Sequence, residues 1–330
     1  MHTQINLNQF LNSKESILSQ EQGLKEIYEK LEEATKKISF VVNHAALEDI
    51  IGKAGTENVQ GEEVQRLDII SNDWLIESLK SSKYCAGVAS EEMEDFIAFE
   101  QCHSEDAQYI VLFDPLDGSS NIDTCSAIGT IFSIYKRKSN GDLLLSDFLQ
   151  KGNDILSAGY VIYGSSTILV YSMGNGVHAF TLDQIEKQYL LSHENIQTPS
   201  YTNILSISFG YYNLYDKQVI DFVNWCLDED KSSKRPFTHR YIGSMVADIH
   251  RNLLKGGIFL YPATTKSPKG KLRLQYECNP LSFITKHANG KYTDGSSDIL
   301  EIIPSELHQR VPIALGSSDL VDKYLSFNLN

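Results

Sequence analysis

The chain is short of cysteine, of basic residues and of long apolar runs, and each shortage excludes a class of protein. Its five cysteines (Cys85, Cys102, Cys125, Cys226, Cys278) are odd in number, scattered and without a C-x-x-C pair. That argues against a disulfide framework or a zinc site, and for a reduced, cytoplasmic setting. No segment approaches the roughly eighteen consecutive apolar residues of a membrane-spanning helix. The opening residues, Met1-His2-Thr3-Gln4-Ile5-Asn6, lack the basic region and apolar stretch of a signal peptide. Lys and Arg number 29 against 43 Asp and Glu, a formal charge of −14, which argues against nucleic acid as the general partner. An anionic substrate then needs cations gathered locally. There is no internal repeat and no low-complexity tract. The 330 residues, 42% apolar and 22% charged, fit a globular protein of one large domain or two ordinary ones.

The densest chemistry lies in Phe113-Asp114-Pro115-Leu116-Asp117-Gly118-Ser119-Ser120-Asn121-Ile122-Asp123. A β-prone stretch, Tyr109 to Phe113, leads into two carboxylates three residues apart. Pro115 fixes its own φ and biases Asp114 to an extended conformation, which puts both acids on a stiff loop at a strand's end. Oxygen ligands so placed suit hard divalent cations, Mg²⁺ above all. The Gly-Ser-Ser-Asn turn offers N–H groups and hydroxyls to a phosphate. Asp-Pro and Asp-Gly also mark ordinary turns, so both readings stay open on this run alone.

Along the chain, Leu24, Ile27, Leu31, Ala34, Ile38, Val42 and Ala45 recur at helical spacing and predict a long amphipathic helix. Gly52 to Glu62 reads as a flexible stretch. A second helix carries Val64, Leu67, Ile70, Trp74 and Leu79, with Asp68 set among apolar neighbours. Strands are expected at 128–135, 159–163, 167–173 and 177–182, and the short glycine-containing gaps between the last three imply hairpins. The polar stretch His193 to Asn203 reads as a boundary, dividing 1–195 from 196–330. Beyond it, strands at 204–208, 257–261 and 272–276 alternate with helices at 218–227, 244–254 and from Pro280 to near Gly290. This is an α/β (α+β layered) sandwich of two sheet-and-helix domains.

Further acids and cations make the opening run more specific. Glu91-Glu92 follows the extended Cys85–Ser90 segment, and Glu277 closes the expected strand that carries Lys266-Ser267-Pro268-Lys269-Gly270-Lys271-Leu272-Arg273, with four cations in eight residues. A metal-assisted phosphomonoesterase needs carboxylates for its metals and an acid to take a proton from the attacking water. It also needs donors to neutralise the phosphoryl oxygens.

Several blocks then carry a resemblance over nearly the whole chain: Asn58–Gly61, Leu67–Asp73, Glu91-Glu92, Phe113–Asp123, Ile128–Phe132, Arg240–Asp248, Gly257–Pro262, Lys266–Arg273, Tyr276–Pro280 and His308-Gln309-Arg310. On them the chain resembles the class I fructose-1,6-bisphosphatases of the lithium-sensitive sugar-phosphatase superfamily. The Phe113–Asp123 motif alone would leave inositol monophosphatases open; the later blocks, in this order and spacing, do not. The resemblance implies an αβαβα sandwich whose N-terminal domain, of allosteric type, carries most metal ligands and whose C-terminal domain binds the sugar phosphate. It implies Glu91 and Asp114 as metal-bridging ligands, with Asp117, Glu277 and the Leu116 carbonyl completing the sites and Glu62 on a loop that closes over them. Two or more Mg²⁺ per subunit are implied, with Mn²⁺ as the alternative. Asp68 and Glu92 resemble the pair that activates the attacking water.

Gly118, Ser119, Ser120 and Asn121, with Asp117 beside them and joined by Arg273, match the cradle of the 1-phosphate. Ser208, Tyr211, Tyr241, Tyr261 and Lys271 match contacts to the 6-phosphate and sugar hydroxyls. Arg240 resembles an arginine that reaches into the neighbouring subunit, which implies a homotetramer built as a dimer of dimers. The implied reaction is in-line attack of a metal-activated water on fructose 1,6-bisphosphate, a cytoplasmic step of gluconeogenesis. A sedoheptulose 1,7-bisphosphatase and a non-catalytic sugar-phosphate sensor are the alternatives. Two departures stand out. Ser208 and Phe209 replace the family's common Asn and Glu. Glu21-Gln22-Gly23-Leu24-Lys25, with Gln108, Tyr109 and Lys136, stands where AMP-inhibited members bind the nucleotide, and Glu21 at a helix start would repel an anion.

Overall fold

The computed structural model describes residues 5–13, 22–44, 53–57 and 63–329. In chain order the elements are α1 (Leu7–Leu11), α2 (Gln22–His44), β1 (Lys53–Glu57), β2 (Glu63–Gln65), α3 (Arg66–Lys80), β3 (Cys85–Ser90), β4 (Ile97–Ala98), β5 (Tyr109–Asp117), β6 (Ile128–Lys136), α4 (Leu145–Phe148), β7 (Ser157–Tyr163), β8 (Thr167–Ser172), β9 (Val177–Asp183) and β10 (Gln188–His193). There follow β11 (Ile204–Ser206), α5 (Lys217–Leu227), β12 (Thr238–His239), α6 (Met245–Lys255), β13 (Ile258–Tyr261), β14 (Leu272–Arg273), α7 (Asn279–His287), β15 (Lys291–Thr293), β16 (Arg310–Val311), β17 (Ile313–Gly316) and α8 (Ser318–Ser326).

Strands β10-β9-β8-β7-β6-β5-β3-β4 form an eight-stranded sheet and β12-β11-β13-β17-β15 a five-stranded one. The hairpins expected between β7, β8 and β9 are antiparallel, while β3 and β5 run parallel. Side-chain alternation builds the layers. On β6, Ile128, Phe132 and Ile134 face one core with α2 and α3, whereas Ile131 and Tyr135 face a second core with α6 and α7. The five-stranded sheet contributes to that second core and closes a third against α5 and α8. The order is therefore helix, sheet, helix, sheet, helix, the expected αβαβα sandwich.

Helix α2 buries Leu24, Ile27, Tyr28, Leu31, Ala34 and Ile38, each large side chain adding roughly 1.5–3 kcal/mol of apolar burial. Its opposite face carries the pairs Lys36–Glu32 at 2.5 Å and Lys37–Glu33 at 3.0 Å.

Several expectations change. The stretch read as flexible contains β1, which pairs with β2, so Val64 belongs to a strand rather than to the second helix. That helix buries Ser71, Asn72 and Ser78 beside Leu67, Leu75 and Leu79, while Ile70 is half-buried. α1 and β10 are not among the expected elements. The strand expected at 272–276 stops at Arg273, where β14 pairs with β16, and Leu274–Cys278 form a π-helical turn into α7. Glu277 thus sits on that turn and closes no strand. The physical reason is local: the Leu274 N–H bonds to the Gln309 carbonyl at 2.7 Å and the Arg273 N–H to Glu277 Oε2 at 2.5 Å, drawing the chain into a wide turn. Glu62, Glu21 and Asn58–Gly61 lie outside the described residues, as does Ala45.

Candidate active site

The site forms where β3 and β5 end against α6 and the π turn. In a regular strand, residues 114 and 117 would point to opposite faces. The ladder with β6 pairs Asp114 with Ile131 and Asp117 with Gly129, so three steps on β5 match two on β6. Pro115, which has no N–H to give the ladder, sits inside this bulge. The extra residue turns Asp117 to the side of Asp114, as bulges beside functional sites do. Ligand oxygens of Asp114, Asp117 and Glu277 consequently lie within 4.8 Å of one another, all three side chains buried.

Each carboxylate is anchored. Asp114 Oδ1 accepts the Leu116 N–H at 2.9 Å. Asp117 Oδ2 accepts the Ser244 hydroxyl and the Val246 N–H, both at 2.9 Å, at the N-terminus of α6, where a carboxylate is favoured. Gly129 makes this approach feasible: a Cβ there would lie 2.8 Å from Val246 Cγ1 and 2.3 Å from the Val161 carbonyl. Glu91, at the end of β3, is buried and paired with Arg273 at 2.5 Å. The resemblance puts Arg273 at the phosphate cradle; here its guanidinium rests on Glu91.

The electrostatics follow from crowding these acids out of water. Burial, reinforced by Glu91, Asp117 and Glu277, holds the Asp114 carboxyl well above its ordinary range. Burial pushes Glu277 up to about 8 against the pull of Arg273, and Asp117 up to about 6 despite its hydrogen bonds. Burial with Glu91 and Asp68 raises Glu92 to about 9. Asp68, in the first turn of α3, is only 2% exposed and close enough to act on Glu92, so it is no helix-surface acid.

Beyond Asp117 the chain turns at Gly118 (φ +77°) into the 3₁₀ turn Ser119–Thr124. Asn121 contributes a buried Nδ2 without a hydrogen-bond partner. A Cβ on Gly118 would lie 2.8 Å from the Ser244 Cβ and 3.0 Å from its Oγ, the atom that holds Asp117. Gly118→Ala therefore combines left-handed strain with displacement of that anchor. The expected stability loss is about 2 kcal/mol, with at least roughly tenfold lower turnover; denaturant titration and steady-state kinetics check both.

About the sugar end, Ser208, Tyr211, Tyr261 and Lys271 line one cleft with Thr264 and Ser267. Lys271 Nζ lies 5.0 Å over the Tyr211 ring. Tyr241 is close enough to Tyr261 and Tyr211 for them to act on its hydroxyl. Lys266 and Lys269 of the basic run stay exposed, and Arg240 is exposed on the loop before Tyr241. Phe209 packs edge-on against His239, with ring centroids 4.7 Å apart. At the start of β5, the Tyr109 ring lies 2.6 Å from where a Cβ of Gly23 would stand, and Tyr109 pairs in register with Lys136. Gln108 is exposed, Leu24 is buried and Lys25 is half-buried beside Glu29.

Sequence reasoning missed the Asp117 anchors. Ser244 opens the expected helix 244–254, but its bond to a carboxylate 127 residues away leaves no local signal. His308 was quoted only as part of a motif. Its Nε2–H donates to the Met93 carbonyl at 2.7 Å and ties the Glu91–Glu92 corner to the second half of the chain.

Comparison with known proteins decides the family. The model of the fructose-1,6-bisphosphatase N-terminal domain matches residues 5–194 and that of the C-terminal domain residues 198–328. The chain belongs to the fructose-1,6-bisphosphatase family. It is a phosphatase that hydrolyses fructose 1,6-bisphosphate, in a family whose reaction is metal-dependent. The holo form of Leishmania major fructose-1,6-bisphosphatase superposes with a TM-score of 0.91 at 34% identity, covering 99% of this chain and 100% of that one. Its apo form superposes with 0.87 at 33% identity and the same coverage. The buried acids and the cleft thus belong to a fructose-1,6-bisphosphatase fold. Among the described residues no helix is long and apolar enough to cross a membrane.

Proposed function

We propose that this fructose-1,6-bisphosphatase removes the 1-phosphate of its substrate with Mg²⁺, working as a cytoplasmic homotetramer. Residues 1–195 would carry most of the metal ligands and residues 196–330 the sugar contacts. One observation carries the reading: three buried carboxylates share a space under 5 Å across, a crowding of like charge that a bound cation relieves. An all-oxygen set fits a hard divalent ion. Asp114, Asp117 and Glu277 would hold it, with Glu91, Glu62 and the Leu116 carbonyl as further donors. When bound, the ion supplies positive charge for the phosphoryl oxygens and acidifies a water.

The chain's own groups do the rest. Gly118, Ser119, Ser120 and Asn121 orient the 1-phosphate, and the orphan Asn121 Nδ2 supports that role. Arg273 adds a guanidinium whose fork matches phosphate oxygens. Asp68 and Glu92 receive the proton of the attacking water, a task suited to Glu92, whose pKa burial has raised. Ser208, Tyr211, Tyr241, Tyr261 and Lys271 hold the sugar and its 6-phosphate, and Arg240, free on the surface of one chain, reaches a neighbour's site.

Phosphate release from fructose 1,6-bisphosphate is expected to require Mg²⁺ and to leave fructose 6-phosphate; release of the 6-phosphate, or turnover unchanged in chelator, refutes the reading. The same assay examines the effector corner. With Glu21 in place of the family's anion-binding turn, AMP is expected to inhibit weakly or not at all, and micromolar inhibition would overturn that expectation.

A further inference from the structure

Asp248 is wholly buried, 0% exposed, yet lies outside the acid cluster. It stands in the first turn of α6, the helix that holds Asp117 through the Ser244 hydroxyl and the Val246 N–H. Its charge reaches Asp117, but its hydrogen bonds go to the segment before the helix and to Arg251. Oδ1 accepts the Ile242 N–H at 3.1 Å and Arg251 Nη1 at 2.8 Å; Oδ2 accepts the N–H groups of Ile242 at 2.9 Å and Gly243 at 3.1 Å. Arg251, one turn further along α6, also donates Nη2 to the Arg240 carbonyl at 3.2 Å and to the Ser206 hydroxyl at 2.6 Å, and its Nε to Asn252 Oδ1 at 3.2 Å.

Four of these bonds end on residues 240–243, a segment outside helix and strand. Otherwise its backbone is fastened by the Arg240 N–H to the Leu205 carbonyl at 2.9 Å. Gly243 has φ +91°, and Arg240 and Ile242 point to solvent. A buried ion pair is a poor device for adding stability, because apolar side chains of like volume do as well or better. It is a good device for geometry, since charge-assisted bonds are directional and short.

We propose that Asp248 and Arg251 are positioning residues for the sugar end of the site. They clamp the Arg240–Tyr241 segment to α6, and the same helix grips Asp117 by its first turn. One rigid element thereby sets the separation between the acid cluster and the groups that hold the far phosphate and sugar. The inference rests on the sugar-end assignment of Arg240 and Tyr241 given above.

Asp248→Asn keeps the side-chain shape but loses the charge and one acceptor oxygen. It is expected to raise KM for fructose 1,6-bisphosphate and Kd for fructose 6-phosphate by about tenfold or more. The Mg²⁺ activation midpoint and the Kd of inorganic phosphate in Mg²⁺ should stay within twofold, about the error of such measurements. Arg251→Lys retains the charge without the fork that spans four acceptors, and should move the same two constants in the same direction by a smaller factor. Should Asp248→Asn fail to fold, Arg251→Lys carries the test by itself. In an Arg240→Ala/Tyr241→Phe background, adding Asp248→Asn or Arg251→Lys should change fructose 6-phosphate binding little, because the groups being positioned are gone.

Unchanged KM and fructose 6-phosphate Kd in the folded variants overturn the proposal. So does an equal shift in the Mg²⁺ and phosphate constants, which would mean general loosening. If Arg240→Ala/Tyr241→Phe itself leaves fructose 6-phosphate binding unaltered, the sugar-end assignment falls and the proposal with it. If that variant weakens binding and the α6 variants do not, only the clamp is wrong.

Discussion

Asp114→Asn is expected to abolish turnover of fructose 1,6-bisphosphate while leaving a folded protein that, free of metal, is at least as stable as the wild type. Both halves come from one piece of geometry. The Asp114 side chain shares its space with Asp117 and Glu277, and its carboxyl is already forced far above its ordinary pKa by burial and by Glu91. An amide removes the charge from that crowd yet keeps Oδ1 as acceptor for the Leu116 N–H, a 2.9 Å bond that shapes the loop. Alanine would lose that acceptor and strand a buried N–H at a cost of roughly 1–3 kcal/mol. Function should fail all the same, because an amide is a weak substitute for a carboxylate toward a hard divalent ion. A loss of about a thousandfold or more in kcat/KM is expected, read by phosphate release, with circular dichroism and thermal unfolding reporting the fold. More than a few per cent of residual activity would remove Asp114 from the machinery.

The second large effect concerns pH without metal. Glu277 and Glu92 have folded-state pKa values of about 8 and about 9, against about 4.3 for an unfolded glutamate. Between those limits the native chain binds more protons than the unfolded one. The slope of unfolding free energy with pH is then negative, so stability falls as pH rises through the window. Other groups fix where to look. Burial lowers His178, His250 and His287, and their opposing contribution is complete once pH exceeds about 6.5. The lowered acids Asp147 and Asp230 act only below about pH 4. Between pH 7 and 8.5 in chelator, the Tm is therefore expected to drop on the order of 5 °C. Saturating Mg²⁺ should abolish most of that drop, since an ion bound by ionised carboxylates stabilises the form that high pH favours. A metal-free Tm that holds steady or rises over this range would show that the acids are not crowded as the geometry has them.

Much of this protein was readable from pattern. The apolar stripe from Leu24 to Ile38 could only be a helix with one buried face, and the glycine-containing gaps between β7, β8 and β9 could only be hairpins. Asp114-Pro115-Leu116-Asp117, the Glu91-Glu92 pair and the basic run pointed to metal-assisted phosphate chemistry, because residue type determines which ligands a side chain can offer. Asp68 was conspicuous as an acid among apolar neighbours, and it is buried. The errors fell where a local pattern had a competitor elsewhere in the chain. Leu272–Tyr276 reads as a strand, but only two of its residues find a partner in β16, and the remainder is taken up by the turn that delivers Glu277.

By itself, then, the sequence determined the periodic elements and the chemical kind of the site, because spacing, backbone preference and side-chain chemistry are properties of neighbouring residues. Tertiary structure alone decided that Asp114 and Asp117 face the same way, since that depends on the bulge created by pairing with β6. It alone brought α6 to both ends of the site, gripping Asp117 at one and the Arg240–Gly243 segment at the other. Face parity, register and the meeting of groups 127 residues apart belong to the packing of whole layers, and no local spacing encodes them.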